Sequence, residues 1–194
     1  MNYLAHAYLS FGNPEVLVGN MISDFVKGKK QYDYPPGIQK GIRLHRKIDE
    51  FTDHHFATKN AKSLLYPAVG AYAGAFIDVV YDHFLAIDPA IYTEEEWMSF
   101  SAETYQLLDP YTSLFPEKFA QMYPFMKKQN WLYNYRFSWG IEKSFHGIGR
   151  RARYLPPENN AFELFETHYA DLSTNYGNFF PDIKKLALDL LKEA

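Results

Sequence analysis

Apolar residues recur on every side of the helix that the sequence predicts over residues 68–86, AVGAYAGAFIDVVYDHFLA. A helix that is apolar all round belongs in the interior of a protein. Two carboxylates and an imidazole interrupt this pattern, at Asp78, Asp82 and His83. A buried carboxylate is costly unless a cation or several hydrogen bonds hold it. The stretch therefore predicts one wall of a buried polar site, in which Asp82 and His83 could both reach a single ion.

Helix start and stop signals divide the rest of the chain into further helices, without convincing strand alternation. Asn13-Pro14 is a cap followed by proline at the first helical position, and Gly28 ends that helix at Lys27. Pro67 is expected to stop one helix, Pro124 to bend another and Pro181 to begin the last. Besides a short apolar helix over residues 2–10, the predicted helices span residues 13–27, 38–53, 54–66, 68–86, 93–108, 116–128, 131–153, 160–176 and 181 to the C-terminus. We predict an all-α fold of about eight or nine helices, forming one domain over residues 1–194.

Polar pairs four residues apart recur on three of these helices, at positions that face the core or lie at its edge. The pairs are Asn2 with His6, Asn20 with Asp24, and His45 with Asp49. The spacing lets both side chains of a pair aim at one point. Each pair taken alone is compatible with a hydrogen-bonded polar group in a helical core, and that interpretation stays open. As a set, so many carboxylates on buried faces would repel one another without a cation.

The residue types in this set point to metal-assisted hydrolysis. Histidine, aspartate and asparagine are the ligands that suit Mg, Mn, Fe or Zn in oxygen and nitrogen coordination. The sequence has no cysteine, no G-x-S-x-G elbow, no glycine-rich phosphate loop and no H-E-x-x-H motif. A bound ion could lower the pKa of a water molecule and stabilise charge on a phosphoryl oxygen.

Composition and charge limit the classes of partner that the protein can bind. A net charge of −3 over 194 residues excludes a polycation that binds nucleic acid. The beginning of the chain lacks the basic and apolar regions of a signal peptide, and no uncharged apolar run is long enough to span a membrane, so we expect a cytoplasmic protein. The Trp and Tyr residues of 131–139 are assigned to the core. Lys27 follows Asp24, and Arg43, Arg46 and Lys47 share the helix of His45, a placement that suggests an anionic partner. Arg150 and Arg151 belong to a later basic cluster.

Five blocks of the sequence are similar to the acyl carrier protein phosphodiesterases of bacteria. The blocks are MNYLAHAYLS, GNMISDFVKG, GIRLHRKIDEFTD, DVVYDHFLA and NWLYNYRFSWGIEKSFHGIGRRAR. The resemblance implies an all-α, HD-phosphohydrolase-like fold that uses Mn²⁺ or Mg²⁺. It also implies hydrolysis of the diester between 4′-phosphopantetheine and a serine of holo acyl carrier protein, which gives the apo protein. A true HD doublet is absent, since Asp82-His83 has the reverse order.

The resemblance also suggests roles for residues within the matching blocks. The implied metal ligands are His6, Asp24, His45, Asp82 and His83, and the implied catalytic residues are Asp24, His45 and Asp49, where Asp49 orients His45 or binds the metal itself. Asn2, Asn20 and Asp78 are expected to support these ligands or to replace one of them. The basic residues named above would contact the acidic carrier protein.

Two other functions stay open at this point. The first is an HD-type phosphohydrolase that acts on a nucleotide or another small phosphoester. The second is a helical module that binds an acidic carrier protein without turnover, its polar core being purely structural.

Overall fold

The computed structural model describes residues 1–156 and 158–192 of the chain. This part of the chain contains eleven α-helices and no strand, so the all-α prediction is confirmed. The helices are α1 (Tyr3–Tyr8), α2 (Pro14–Ile22), α3 (Pro36–His54), α4 (Phe56–Val69), α5 (Ala73–Ile87), α6 (Glu94–Leu108), α7 (Glu117–Lys128), α8 (Trp131–Asn134), α9 (Ser138–Arg151), α10 (Ala161–Thr167) and α11 (Tyr169–Lys192).

Breaks inside predicted helices explain why the described residues hold more helices than expected. The helix that begins at Pro14 ends at Ile22 and continues as a 3₁₀ turn over Ser23–Phe25, so its predicted extension to Lys27 was wrong. The predicted helix over 131–153 is divided into α8 and α9, and the one over 160–176 into α10 and α11. The central helix begins at Ala73 and not at 68, because Gly70 has a φ of 53° and a 3₁₀ turn follows it.

Pro67 was expected to stop one helix and Pro181 to begin another, and both expectations were wrong. Pro67, Pro124 and Pro181 all lie inside helices, in α4, α7 and α11. A proline removes one backbone hydrogen bond, but packing of an apolar face can hold the helix on both sides. In α11, Phe180 and Ile183 flank Pro181 and are fully or almost fully buried. The predicted end of this helix, at residues 193–194, lies outside the described residues.

The helix α5 lies at the centre of the fold and contacts α1, α4, α9 and α11. The closest pairing is between α2 and α3, where glycines let the backbones touch. A Cβ atom on Gly19 would lie 2.0 Å from the carbonyl oxygen of Ile38, and one on Gly41 would lie 2.2 Å from that of Val16. This contact brings the polar residues of α2 beside those of α3.

One stretch of the described chain, Phe56–Ile87, has the length and composition of a membrane-spanning helix. In the structure this stretch is not one continuous α-helix. The break at Gly70 divides it into α4 and α5, which pack against each other. The core helix of a globular fold meets the same criteria, so the finding is weak as an indication of a membrane.

Candidate metal centre

Two imidazoles and a carboxylate converge where α1 meets α3. The ligand atoms of His6, His45 and Asp49 all lie within 4.8 Å of one another. His6 Nε2 is 3.3 Å from Asp49 Oδ1, and His45 Nε2 is 3.0 Å from Asp49 Oδ2. The two imidazole rings are stacked, with centroids 3.9 Å apart and an interplanar angle of 14°. We call these three residues together with Asp24 the His/Asp cluster.

Asp24 approaches the cluster from the 3₁₀ turn after α2. Its Oδ1 atom lies 3.3 Å from His45 Nε2, while 68% of its side chain is exposed. Asp24 is therefore the member of the cluster that faces solvent. This position depends on the early end of α2, because the turn displaces Asp24 from the helical stripe that Asn20 occupies.

Asn20 fixes the orientation of both imidazoles. Its side-chain NH₂ donates to the carbonyl oxygen of His6 at 2.8 Å and to Ser10 Oγ at 3.1 Å, which leaves Asn20 Oδ1 to accept from His6 Nδ1 at 2.8 Å. The backbone carbonyl of Asn20 accepts from His45 Nδ1 at 2.7 Å. Both rings thus carry a hydrogen on Nδ1 and direct Nε2 at Asp49. Histidines that bind metals are usually held in this way by an acceptor on the second nitrogen.

His6 Nε2 is the atom of the cluster that most clearly suits a cation. It is buried and lies 3.3 Å from Asp49 Oδ1, but it makes no hydrogen bond within residues 1–156 and 158–192. A buried polar atom without a partner is rare in folded proteins, and an ion is one of the groups that can satisfy it. The donor set, with two imidazole nitrogens and two carboxylates, fits a divalent transition metal.

The electrostatics of the cluster fit the same interpretation. Burial and the neighbouring charge of His45 lower the pKa of His6 to about 4, so this ring is neutral. Although burial opposes it, contacts with Asp24 and Asp49 raise the pKa of His45 to about 9. Burial also disfavours the charged form of Asp49, but its contacts with His45 and His6 hold the pKa of Asp49 well below its usual range. The proton on His45 thus supplies positive charge between the carboxylates. A divalent cation could replace this proton and supply the positive charge instead.

Asp78 is connected to the cluster through the amino group of Met1. The Met1 nitrogen lies 2.9 Å from Asp78 Oδ1 and 3.6 Å from Asp49 Oδ1. Burial disfavours the charged form of this amino group, but the charges of Asp78 and Asp49 raise its pKa to about 10. Asp78 therefore pairs with an ammonium group, a contact that the sequence pattern does not reveal.

Asp82 and His83 do not join the cluster. The Asp82 carboxylate accepts backbone N–H groups of Asn2 at 3.3 Å, Leu4 at 2.7 Å and Ala5 at 3.2 Å, so it caps the first turn of α1. His83 Nδ1 bonds to the carbonyl oxygen of Tyr135 at 2.8 Å and its Nε2 to Tyr169 Oη at 2.8 Å. Since all these polar atoms are occupied, the geometry does not support the expectation that Asp82 and His83 share an ion with His6 and His45. Asn2 meets Asp82 through its backbone.

Some of the predicted partner-binding residues have partners within the chain. Arg46 donates to Gln31 Oε1 at 2.8 Å and to the carbonyl oxygen of Val26 at 3.1 Å, and so holds the segment that follows Asp24. Lys47 forms an ion pair with Glu50 at 2.8 Å. Lys27 and Arg43 are exposed.

A cavity of about 810 Å³ lies beside the cluster. Asn2, Asp24 and Asp78 belong to its lining, as do Arg150 and Arg151 at the end of α9. Further lining residues include Trp131, Tyr135 and Trp139. Assigning the Trp and Tyr residues of 131–139 to the core was therefore wrong for Trp139, which is 52% exposed.

The fold and the cluster together define a class, an all-α protein with a candidate metal centre at the edge of a cavity. The model of the acyl carrier protein phosphodiesterase family matches residues 1–183, and the chain belongs to this family. No solved structure matches the chain. The HD-like character of the fold therefore stays a prediction.

Relatives from several bacteria match most of the chain, and each carries the name acyl carrier protein phosphodiesterase. The relative from Photorhabdus laumondii is 31% identical over 182 residues, which cover 93% of this chain and 92% of the relative. A Klebsiella pneumoniae relative is 31% identical over 192 residues, which cover 96% of this chain and 97% of the relative. One from Escherichia coli O157:H7 is 28% identical over 186 residues, with coverage of 93% and 94%.

Proposed function

We propose that this chain is a metal-dependent phosphodiesterase that releases 4′-phosphopantetheine from the serine of holo acyl carrier protein. Membership of the acyl carrier protein phosphodiesterase family supports the substrate and the reaction. The observation that carries the metal dependence is the convergence of His6, His45 and Asp49 within 4.8 Å, with Asp24 beside them. Water would add to phosphorus as the bond to the serine oxygen breaks, and the serine would regain a proton.

The cofactor we propose is Mn²⁺, with Mg²⁺ as the alternative. Imidazole nitrogen suits transition metals and carboxylate oxygen suits Mg²⁺ and Mn²⁺, so a mixed set favours manganese. His6, His45, Asp49 and Asp24 would hold the ion. When bound, it would supply a water molecule of lowered pKa and positive charge for the phosphoryl oxygens.

The side chains in and around the cluster would have different roles in the reaction. Asp49 contacts both imidazoles and fixes their spacing. Asp24 lines the cavity, and its hydrogen bond with His45 lowers its pKa, so it is ionised at neutral pH where it can orient the attacking water. Asn20 accepts from Nδ1 of both rings and so directs both Nε2 atoms toward the position of the ion.

Intact-mass spectrometry of holo acyl carrier protein tests the proposal directly. Incubation with the purified protein and Mn²⁺ should remove the mass of phosphopantetheine, and EDTA should prevent the loss. Asp49→Asn should abolish the reaction. Asp53→Asn, on the same helix but paired with Lys62 at 2.6 Å, is the matched control and should retain it.

Two other outcomes would redirect the proposal. Hydrolysis of nucleotides or simple diesters without any change in holo carrier protein would identify a phosphohydrolase of small phosphoesters. Stoichiometric complex formation with the carrier, without turnover and without bound metal, would identify a non-catalytic binding module.

A further inference from the structure

The residues that line the cavity beside the His/Asp cluster are of two chemically different kinds. Charged residues form the first group, which includes Asp24, Arg150 and Arg151. Neither arginine forms an ion pair within residues 1–156 and 158–192, although other exposed cations such as Lys47 and Lys127 do. Two unpaired guanidinium groups at the edge of a candidate metal centre are suited to a phosphate group.

Tyr3 lines the same cavity as Asp24 and Arg151. Burial and the negative charge of Asp24 raise the pKa of the Tyr3 phenol, whereas the positive charge of Arg151 acts on the same phenol in the opposite direction. The carboxylate and the guanidinium therefore both lie within electrostatic range of one side chain. A phosphodiester near Asp24 would be within the field of Arg151.

Aromatic and amide side chains form the second group of lining residues. Trp139 stacks on Phe137 with ring centroids 5.6 Å apart and an interplanar angle of 9°, and still presents half of its surface. Gln129 accepts from Trp131 Nε1 at 3.2 Å and from Lys143 Nζ at 2.8 Å, while its backbone carbonyl accepts from Asn134 at 2.7 Å. These contacts fix a wall of indole rings and side-chain amides before any ligand arrives.

We propose that this cavity binds the phosphopantetheine arm of the carrier protein, with the phosphodiester between Asp24 and Arg151 and the pantetheine chain against Trp131 and Trp139. This inference rests on the proposed function and assigns its substrate site. It also assigns Arg151 to the phosphate and not to the surface of the carrier.

The chemistry of the arm matches the two groups of lining residues. Phosphopantetheine has a charged end and a long uncharged chain with two amides and a dimethyl group. The arginines offer charge for the phosphate, and the indoles and amides offer apolar contact and hydrogen bonds for the chain. Sites of 300–1,000 Å³ are typical for small molecules, and the volume of about 810 Å³ falls within that range.

Calorimetric titration of the Mn²⁺-loaded protein with free 4′-phosphopantetheine tests the site without turnover. The Kd of 4′-phosphopantetheine should be at least about tenfold lower than the Kd of AMP, which has the phosphate but not the pantetheine chain. Trp139→Ala and Arg151→Gln should each weaken binding about tenfold. The matched controls are Phe125→Ala, which removes another exposed aromatic side chain, and Arg153→Gln, which removes a guanidinium group 5.4 Å from the centre of the Tyr154 ring. Both control variants should bind 4′-phosphopantetheine as the native protein does.

Kinetics on two substrates separate the arm from the phosphate. In Trp139→Ala, kcat/KM for holo acyl carrier protein should fall about tenfold relative to kcat/KM for bis(p-nitrophenyl) phosphate, which has no arm. In Arg151→Gln, both values should fall about 100-fold, since both substrates carry the phosphodiester. An unchanged ratio in Trp139→Ala, or AMP binding as tightly as 4′-phosphopantetheine, would overturn the assignment.

Failure of the proposed function would look different. In that case the native protein would leave holo carrier protein intact in the mass assay. If native turnover is present but neither Trp139→Ala nor Arg151→Gln affects binding or kinetics, the function stands and the cavity is not the site of the arm.

Discussion

Asn20 orients both histidines of the cluster, with different atoms for each. Its side chain holds His6 and its backbone carbonyl holds His45. From the sequence, Asn20 is interpreted as part of a polar edge of its helix, four residues before Asp24. In the structure Asn20 is fully buried. Its hydrogen-bonding capacity explains its role, because one amide contacts Nδ1 and the carbonyl oxygen of His6 and also Ser10 Oγ.

Asn20→Ala should therefore affect the orientation of His6 but not that of His45. His6 loses its acceptor while His45 keeps the backbone carbonyl, so we expect Mn²⁺ affinity to fall about 10–100-fold without complete loss. The free energy of unfolding should fall by about 1–3 kcal/mol, because buried polar groups lose their partners. Calorimetric Mn²⁺ titration and urea unfolding measure the two effects. Asn175→Ala, which removes a side-chain bond to the Asp171 carbonyl in α11, should leave Mn²⁺ affinity unchanged.

Substitutions at Asp24 and Asp82 should have opposite effects on stability and on metal binding, although both residues were expected to bind metal. Asp24→Asn should change the free energy of unfolding by less than about 1 kcal/mol, because the side chain is largely exposed, and should lower Mn²⁺ affinity strongly. Asp82→Ala should cost about 3 kcal/mol or more, since three backbone N–H groups at the start of α1 lose their acceptor.

The isosteric change Asp82→Asn decides between these roles, since it keeps an acceptor oxygen for α1. We expect this variant to fold and to bind Mn²⁺ with native stoichiometry, as measured by elemental analysis after desalting. A folded, thermally stable Asp82→Asn protein without metal would instead make Asp82 a ligand.

At the scale of the elements, the crossing of α2 and α3 sets the dimensions of the cluster. Asn20 and the turn that carries Asp24 come from one side, and His45 and Asp49 from the other. The glycines of the crossing bring the two backbones into contact, which lets the carbonyl of Asn20 reach His45 Nδ1. A methyl group at either glycine would meet backbone and not a movable side chain.

Gly41→Ala should consequently disturb both stability and metal binding. The added Cβ would lie 2.2 Å from the Val16 carbonyl, so the helices must separate, at a cost of about 3 kcal/mol or more. Mn²⁺ affinity should fall together with stability, which thermal unfolding and calorimetry would show. Gly177→Ala in α11 is the matched control: a Cβ there meets nothing within 4 Å, so stability should be unchanged or rise by up to about 1 kcal/mol.

At the scale of the whole molecule, the two halves of the chain supply different parts of one site. Helices α1, α2 and α3 bring the His/Asp cluster together, and α8 and α9 supply further residues that line the cavity. The central helix α5 contacts both halves and holds α1 through Asp82. Binding of a metal that joins α1 to α3 should therefore stabilise the entire fold.

Removal of the metal tests this coupling. Saturation at about 100 times the Kd adds roughly 2.7 kcal/mol to the free energy of unfolding, which for a chain of this size corresponds to a rise in Tm of about 5–10 °C. EDTA should reverse the rise. His45→Gln should show no response to Mn²⁺, and identical Tm values for the native protein with Mn²⁺ and with EDTA would contradict a metal that bridges α1 and α3.

The sequence by itself determined the helical class, the buried character of α5 and the pairing of His45 with Asp49. These follow from local periodicity, because residues four apart on a helix share a face whatever the rest of the chain does. It also brought His6, Asn20 and Asp24 into the candidate set, since polar residues at core-facing or edge positions need partners.

Only the tertiary structure decided which partner each buried group receives. Asp82 meets the amides of α1 from 77 to 80 residues away, and His83 meets Tyr135 and Tyr169, so two residues adjacent in sequence serve different contacts. The cavity likewise depends on Trp131 and Trp139 lining the same space as Asp24. Periodicity defines the face on which a side chain lies, but the element that covers that face is set by packing between distant segments.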